Sequence, residues 1–570
     1  MATTLPRNAD VAEQLELLAD LLELEGQDAF RVLAYRRAAT RVRETGGSIA
    51  QLALDGKAKS LQGIGKTIEE KIVQIVEKGE IEALTKRKGT IPAGVVSFMR
   101  LPGLGPKTAR RIWQELGIST VDELRQAAEA QRLRTLTGLG AKTEENLLKE
   151  LAKTPEPAQP QRALLGAALP AVLAAVEELR AHPAAEKVSE AGSVRRRRET
   201  VRDLDIIATA TDPDALTTHF ASLPWVAEVV ARGGTKATVI SYDGLRFDLR
   251  VVPPECYGNL LQHFTGSKDH NVALREEAVR RGLSISEYGV TTVETGDVFT
   301  AASEEELYEY LGYRFIAPEL RENAGELAAA RRGELPELIE LGHLKGDLHA
   351  HSTWSADGKG TIEEMALAAR ARGYGFLAIT DHSHYLRDDR LGRQDAEIDA
   401  LNERLAPFRL LKGIEVNIRA DGSLDVPDEV LAERDWVVAS IHVRHSSNPT
   451  ERIVGAMENA HIDCIGHLTG RKIGKRAPVD LDFEHIVEKA LETGTCLELN
   501  SQPDRIDLRD AHARLAGEAG VRLVITTDAH SVGALAYAEL GVAQARRAWL
   551  TKKHVLNTRT WPQIEKSLRR

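Results

Sequence analysis

The stretch Gly192–Asp205 reads GSVRRRRETVRDLD and runs on into the apolar segment IIATA. Asp203 and Asp205 therefore open a β-strand, and residues two apart on a strand share a face. Two carboxylates so placed repel each other unless a cation lies between them, and a divalent metal supplies that charge most simply. A third aspartate, Asp248, sits in the next strand-like run, LRFDLRVV, with Arg246 and Arg250 on its face by the same alternation. Three aspartates from two strands can hold two metals roughly 3.5–4 Å apart, the spacing that serves in-line phosphoryl displacement. Gly192 and Ser193 then read as a phosphate cradle of backbone N–H groups and a hydroxyl. The four arginines Arg195–Arg198 stand beside it as a local basic site to neutralise phosphate charge. A lone Asp-x-Asp is more often a solvated turn or strand edge. The Gly-Ser turn before it and the third aspartate after it favour chemistry.

GSVRRRRETVRDLD with RFDLR resembles the palm of the family X DNA polymerases, members of the nucleotidyltransferase superfamily. The similarity continues through GGTKAT (Gly233–Thr238) and HFTGSKDHN (His263–Asn271). The resemblance implies that Asp203, Asp205 and Asp248 are catalytic and hold Mg²⁺ or Mn²⁺. It implies that Gly192, Ser193 and Arg196 meet an incoming triphosphate, and that Phe264, Gly266 and Asn271 lie along the nucleotide. Vertebrate members carry Tyr-Phe before the Thr-Gly-Ser turn, where this chain has His263-Phe264. Discrimination between sugars is therefore left open.

The chain has 570 residues, 42% hydrophobic and 28% charged, which are globular values and room for several domains. No apolar run of about 18 residues exists, so no membrane span is expected. The N-terminus lacks the charged start and apolar core of a secretory signal. Cys256, Cys464 and Cys496 are odd in number and far apart, which argues for a reducing cytoplasm rather than a disulfide framework. The net charge of −10 disfavours nucleic acid on average, so any DNA contact must come from local basic sites.

Such sites repeat along the N-terminal part. LQGIGKT (Leu61–Thr67), LPGLGPKT (Leu101–Thr108) and LTGLGAKT (Leu136–Thr143) share a Leu-x-Gly-Leu/Ile-Gly core, each followed by Lys-Thr and a helix. The pattern reads as three helix-hairpin-helix motifs. Gly63, Gly65, Gly103, Gly105, Gly138 and Gly140 make the turns, and Lys66, Lys107 and Lys142 add charge. Backbone N–H groups at a helix start then hold a DNA phosphate without reading bases. An ordinary glycine-containing connection explains one copy more readily than three. The first hairpin region also resembles the small lyase domain of family X polymerases, which places Lys71 as a Schiff-base amine. A lone helix lysine is more often a solvated face residue.

From residue 343 onward the character changes: 13 of the 17 histidines fall there. GDLHAHST carries His349 and His351, with Asp357 beyond it. Later apolar runs end at His382, Glu415, His442, His467, Asp528 and His530. Short β-runs alternating with helical stretches predict a parallel sheet or barrel, whose functional residues gather at the C-terminal strand ends. Mixed imidazole and carboxylate donors suit Mn²⁺, Zn²⁺ or Fe²⁺, and nine of them imply two or three ions. This pattern resembles a PHP domain, a distorted β/α barrel with a trinuclear metal centre that cleaves phosphoesters. All nine ligand positions of the family pattern are present.

The expected architecture is multidomain α+β and α/β. Residues 1–88 form a lyase-like helical domain and 89–153 a second helix-hairpin-helix domain. A linker follows at 154–161, then a nucleotidyltransferase palm with a mixed sheet at 162–254. A nucleotide-selecting, thumb-like segment at 255–318 leads through a connector at 319–340 to the PHP barrel at 341–570. Together these resemble bacterial and archaeal family X DNA polymerases. The resemblance implies gap filling in DNA repair from dNTPs on gapped or nicked duplex DNA, with a 3′-5′ exonuclease in the barrel. It also allows 3′-end processing or abasic-site cleavage, and a monomer is expected. Two alternatives are a PHP phosphoesterase on a non-catalytic DNA platform and a DNA-end bridging factor. Complete ligand sets disfavour both.

Overall fold

The computed structural model describes residues 5–43, 45, 48–61, 63–98, 101, 104–136, 139–152, 162–443 and 447–568. Gly103, Gly138 and the linker at 154–161 lie outside them. The chain divides into two compact units. One comprises Met1–Ala163, Ala171–Val188 and Arg202–Val251; the other comprises Leu164–Pro170, Ser189–Val201 and Val252–Arg570.

The first unit opens with helices around one apolar core that includes Leu15, Leu18, Leu22, Ile72, Ile112 and Leu124. In the helix Lys66–Lys78 the buried Ile68, Ile72 and Ile75 recur at helical spacing, which turns one face inward. Two of the hairpins share a brace. Glu69, four residues after Gly65, accepts the backbone N–H of Lys59 at 2.8 Å. Glu144, four residues after Gly140, accepts that of Arg134 at 2.9 Å, and the Arg134 guanidinium at 2.6 Å. Both glutamates are buried, and both hold the turn that leads into their hairpin. The middle copy has the buried Ala109 at the matching place.

A five-stranded mixed sheet, whose residues up to Val188 and from Arg202 belong to this unit, has the order Ala185–Glu190, Asp203–Ala210, Arg246–Val251, Lys236–Ser241, Val226–Arg232. Asp203–Ala210 runs parallel to Arg246–Val251, and the two last pairings are antiparallel.

In the second unit, helices Tyr257–Thr265 and Lys268–Val279 precede the three antiparallel strands Leu283–Ser286, Gly289–Thr292 and Val298–Phe299. Then come seven parallel strands in chain order: Gly346–Ala350, Phe376–Ile379, Arg409–Asn417, Trp436–Ser440, Cys464–Ile465, Cys496–Asn500 and Leu523–Thr526. A parallel bridge from Ala350 to Ala529 brings the last strand end back to the first, so the sheet is a nearly closed barrel. Strand alternation sorts its side chains. Leu377, Ile379, Val437 and Ala439 pack in the cluster with helix residues Met365, Ile398 and Ile453. Phe376, Ala378, Trp436 and Val438 join a separate cluster closed by Trp561 and Ile564. All three cysteines are buried and free. Among the described residues, no helix is long and apolar enough to cross a membrane.

Glu304 ties this unit together. Its carboxylate meets Arg195 at 2.7 Å and the fully buried Arg321. Burial alone would raise the Glu304 carboxyl, but Arg321 and Arg195 outweigh it and hold it at about 2. Its stabilising contribution is therefore present above the ordinary carboxylate range and lost as pH falls towards about 2. Glu304→Gln leaves Arg321 buried without its counter-charge. It should destabilise the region by about 3–5 kcal/mol at neutral pH, read as lost hydrogen-exchange protection over Glu304–Tyr310. The deficit relative to wild type should shrink in acid.

Candidate active sites

In the first unit, parallel register sets Asp205 directly opposite Asp248 and Asp203 opposite Arg246. The three aspartates thus share one patch of the sheet, as alternation predicts. Arg246 Nε lies 3.1 Å from Asp248 and 3.7 Å from Asp203, and Arg202 donates to Asp203 at 2.8 Å. Thr238 on the neighbouring strand donates its hydroxyl to Asp248. The donor set is all carboxylate oxygen and partly open, which suits a hard divalent cation.

Within the second unit, Gly192 takes a left-handed φ of 64° and starts the short helix Gly192–Arg195. Ser193 is half-buried there. The arginine run differs from its sequence reading. Arg195 faces Glu304, Arg196 faces Glu322 at 3.0 Å, Arg197 faces Glu190 at 3.2 Å and Arg198 faces Glu322 at 3.8 Å. It is a neutralised seam, not an open basic patch, because guanidinium groups this enclosed require counter-charges. Burial lowers the pKa of Arg196, partly offset by Glu322. Arg196 also donates to the Thr265 carbonyl, and a Cβ on Gly266 would come within 3.1 Å of its guanidinium. Asn271 bonds Gln262 and the His263 carbonyl, each at 2.8 Å. The Phe264 ring packs edge-on against His263. Arg196, Gly266 and Asn271 therefore lie around one helix end, that of Tyr257–Thr265.

The hairpin glycines point outward. Gly65 and Gly105 have φ of −88° and −71°, which any L-residue tolerates. A Cβ at Gly65, Gly105 or Gly140 would meet nothing within 4 Å. Among the described residues, neither packing nor backbone conformation asks for glycine at these three positions. Lys66 and Lys107 stand in the first turns of the helices that follow, as does Lys142. Lys71 is half-buried on Lys66–Lys78, where its neighbour Glu69 is engaged at Lys59.

The barrel gathers all nine of its expected ligands. Glu415 is 1% exposed. His349, His442 and His467 bring Nε2 to within 3.6, 3.3 and 3.2 Å of its Oε1. His351 Nε2 lies 3.7 Å from Oε2, and His382 Nδ1 lies 2.6 Å from it but out of hydrogen-bonding alignment. Asp528 Oδ1 is 3.2 Å from His351, and Asp357 is 3.3 Å from His530 and 3.5 Å from His382. Three groups of donors each lie within 4.8 Å: His351, His382 and His530; His349, His351 and Glu415; His382, Glu415 and His442. Both Glu415 oxygens, both His351 nitrogens and His349 Nε2 are buried without a hydrogen-bond partner among the described residues. Buried polar atoms left unbonded are costly, and convergent ones around common points fit divalent metals.

A second set of side chains aims these ligands, and the sequence reading did not include them. Glu498 accepts from His349 Nδ1 at 2.6 Å, which leaves Nε2 for a metal. Asn417 accepts from His442 Nδ1 at 2.7 Å, and the Asp528 carbonyl accepts from His530 Nδ1 at 2.8 Å. Asn500 donates to Asp528 at 3.1 Å. Asp381, beside His382, is spent on Ser352 and Gln394. The signal for Glu498 was present: TCLELN places a charge between leucines on a buried strand. Burial opposes the His382 cation, but Glu415 and Asp357 outweigh it and raise its pKa to about 10. Burial lowers His351 to about 4.

The chain is similar to several known families and proteins. The DNA polymerase beta thumb family matches residues 260–322. A helix-hairpin-helix domain family matches 6–81, and a SAM-like helix-hairpin-helix tandem matches 96–153. The PHP domain family matches 347–501. The DNA polymerase/3′-5′ exonuclease PolX of Bacillus subtilis is 42% identical over 575 residues, covering 98% of this chain and 99% of that protein. A probable phosphatase of Acetivibrio thermocellus is 31% identical over 195 residues, covering 32% of this chain and 78% of that protein. A probable phosphatase of Thermoanaerobacter sp. is 29% identical over 225 residues, covering 37% and 89%.

Metal-ligating histidines must be neutral. Loading chelator-stripped protein with Mn²⁺ at pH 7 should therefore release protons. Calorimetric heats in two buffers of different ionisation enthalpy measure this, and identical heats would count against it. Glu498→Gln should weaken metal affinity by about 10–100-fold, measured by competition with a chelator.

Proposed function

The chain belongs to the PolX family of DNA polymerase/3′-5′ exonucleases, and from that premise we propose two separate chemistries on named residues. One is template-directed nucleotidyl transfer that fills short gaps in DNA from dNTPs, centred on Asp203, Asp205 and Asp248. The other is hydrolysis of 3′-terminal phosphodiesters at the barrel centre. The observation that carries the reading is the existence of two distinct donor sets. An all-aspartate patch lies on a mixed sheet, and a nine-residue imidazole and carboxylate cluster lies at the ends of barrel strands.

Asp203, Asp205 and Asp248 would hold Mg²⁺ or Mn²⁺ in the first site. His349, His351, Asp357, His382, Glu415, His442, His467, Asp528 and His530 would hold two or three ions, Mn²⁺, Zn²⁺ or Fe²⁺, in the second. Divalent ions bound there supply Lewis-acid polarisation of the phosphate and charge neutralisation. The protein's own part is orientation. Thr238 and Arg246 fix the Asp248 carboxylate, while Glu498 and Asn417 set the tautomers of His349 and His442. Arg196, held by Glu322 and the Thr265 carbonyl beside Gly266, would exchange Glu322 for the phosphate on meeting a triphosphate. The bare glycines of the hairpins let the DNA backbone approach the helix starts, with Lys66, Lys107 and Lys142 beside it. We assign Lys71 as the amine of a lyase step on abasic sites, testable by borohydride trapping of wild type against Lys71→Ala.

A 5′-labelled primer on a duplex with a one-nucleotide gap, with Mn²⁺ and with or without dNTPs, tests the division of labour. Asp203→Ala/Asp205→Ala should lose extension by on the order of 10³-fold or more while still shortening the primer. His349→Ala/His351→Ala should do the reverse. Extension by the first variant would sink the palm assignment, and shortening by the second would place the nuclease elsewhere.

A further inference from the structure

The helix Ala538–Arg547 follows the last barrel strand and ends on two arginines. Arg547 is 7% exposed and reaches three groups, all in the second unit. Its Nη1 donates to the Arg196 carbonyl at 2.9 Å and to Glu322 at 3.0 Å, and its Nη2 donates to Asp510 at 2.5 Å. Asp510 opens the helix Asp510–Ala519, which precedes that same strand. Arg546, beside Arg547, fixes the approach to Glu322, with Nε on Glu319 at 2.7 Å and Nη1 on the Ile339 carbonyl at 3.1 Å.

Glu322 is therefore shared. Arg196 and Arg547 both meet its Oε1 at 3.0 Å, and Arg198 lies 3.8 Å from Oε2. Burial would raise its pKa, but Arg547, Arg196 and Arg198 outweigh that and hold it below the usual carboxylate range. Three guanidiniums (Arg196, Arg198 and Arg547) face two carboxylates (Glu322 and Asp510), so one positive charge is left over within this cluster. A carboxylate offers a guanidinium fork two oxygens, as a phosphate does, so Glu322 occupies Arg196 as a phosphate would. How readily it lets go depends on the cations it keeps. By distance the first of these is Arg547.

We propose that Glu322 is an internal stand-in for the nucleotide's phosphates, and that Arg547 sets how readily it yields, so that the helix after the last barrel strand tunes nucleotide affinity. The proposal rests on the reading above that Arg196 takes a triphosphate. While Arg547 is present, Glu322 keeps a close cation after Arg196 turns to the phosphate, and no half-buried charge is left unpaired. Without Arg547, Arg196 is the one cation within 3.0 Å of Glu322, which then holds it harder. Glu322 and Arg547 are positioning residues: both act through Arg196 and neither touches the nucleotide.

The test measures dNTP-dependent extension on a one-nucleotide gap with the full chain and Mn²⁺. Glu322→Gln, of nearly the same shape, should lower the KM for dNTP by about fivefold or more, the usual lower bound for coupled sites, with kcat little changed. Arg547→Gln should raise KM by a similar factor, and Arg547→Lys, which keeps the charge, should restore most of the affinity. In Glu322→Gln/Arg547→Gln the effect of Arg547 should vanish, because the group it acts through is gone. Primer shortening without dNTPs should match wild type in all four variants. A KM that is unchanged or raised in Glu322→Gln overturns the proposal. So does an Arg547→Gln effect that persists in the double variant, which would mean that Arg547 merely supports the Arg196 turn. Arg196→Gln separates the two readings: an unchanged KM there would instead overturn the assignment of Arg196 to the triphosphate.

Discussion

Glu415 is the group on which the barrel depends. Its carboxylate is almost wholly removed from water, and among the described residues neither oxygen has a hydrogen-bond donor in place. An isolated carboxylate so placed costs several kcal/mol, and proteins keep one only where cations meet it. Burial would push its pKa up, yet His442, His349 and His382 outweigh that and drive it well below the usual range. Five imidazoles arrive from four strand ends, His349 and His351 from the same one, because parallel strands all finish on one side of the barrel. The fold solves a problem that its own sequence creates: it buries a charge and surrounds it with groups that bind a metal or, failing that, a proton.

That arrangement then sets conditions on the residues around it. An imidazole that must present Nε2 needs its Nδ1 proton occupied, and Glu498, Asn417 and the Asp528 carbonyl do this for three of the histidines. Glu498 does more than one job. It also accepts the His467 backbone N–H and the Thr526 hydroxyl, so it joins the strand ends as well as aiming a ligand.

The difference between ligand and support explains what was legible in the sequence. The candidate ligands announce themselves because a histidine or aspartate at the end of an apolar run is unusual, and here the signal recurs strand after strand. The aspartates Asp203, Asp205 and Asp248 were legible for a related reason: alternation fixes their face and register brings their strands together. Supports such as Asn417 and Asn500 have no such signature, since an asparagine where a strand ends is ordinary turn chemistry. Glu69 and Glu144 were hidden differently. In sequence they look like solvated first-turn glutamates, and only their burial against Lys59 and Arg134 shows them bracing the hairpins.

Charge was the least legible property, and the reason is burial. Four consecutive arginines look like the most basic feature of the chain, yet Glu190, Glu304 and Glu322 from elsewhere in the second unit meet every one of them. The stretch GRKIGKR at 470–476 is less conspicuous in sequence, but among the described residues Lys475 is exposed and forms no ion pair, and Arg471 Nε and Nη1 have no hydrogen-bond acceptor. A guanidinium already paired in a seam has little to offer a phosphate, because a new anion must displace the old one. An unpaired cation in a cleft gives its full attraction, and it does so in surroundings where water screens less. The net charge of −10 is therefore compatible with a protein that handles DNA. What governs contact with a polyanion is the number of cations left uncompensated at the surface, not the number written in the sequence.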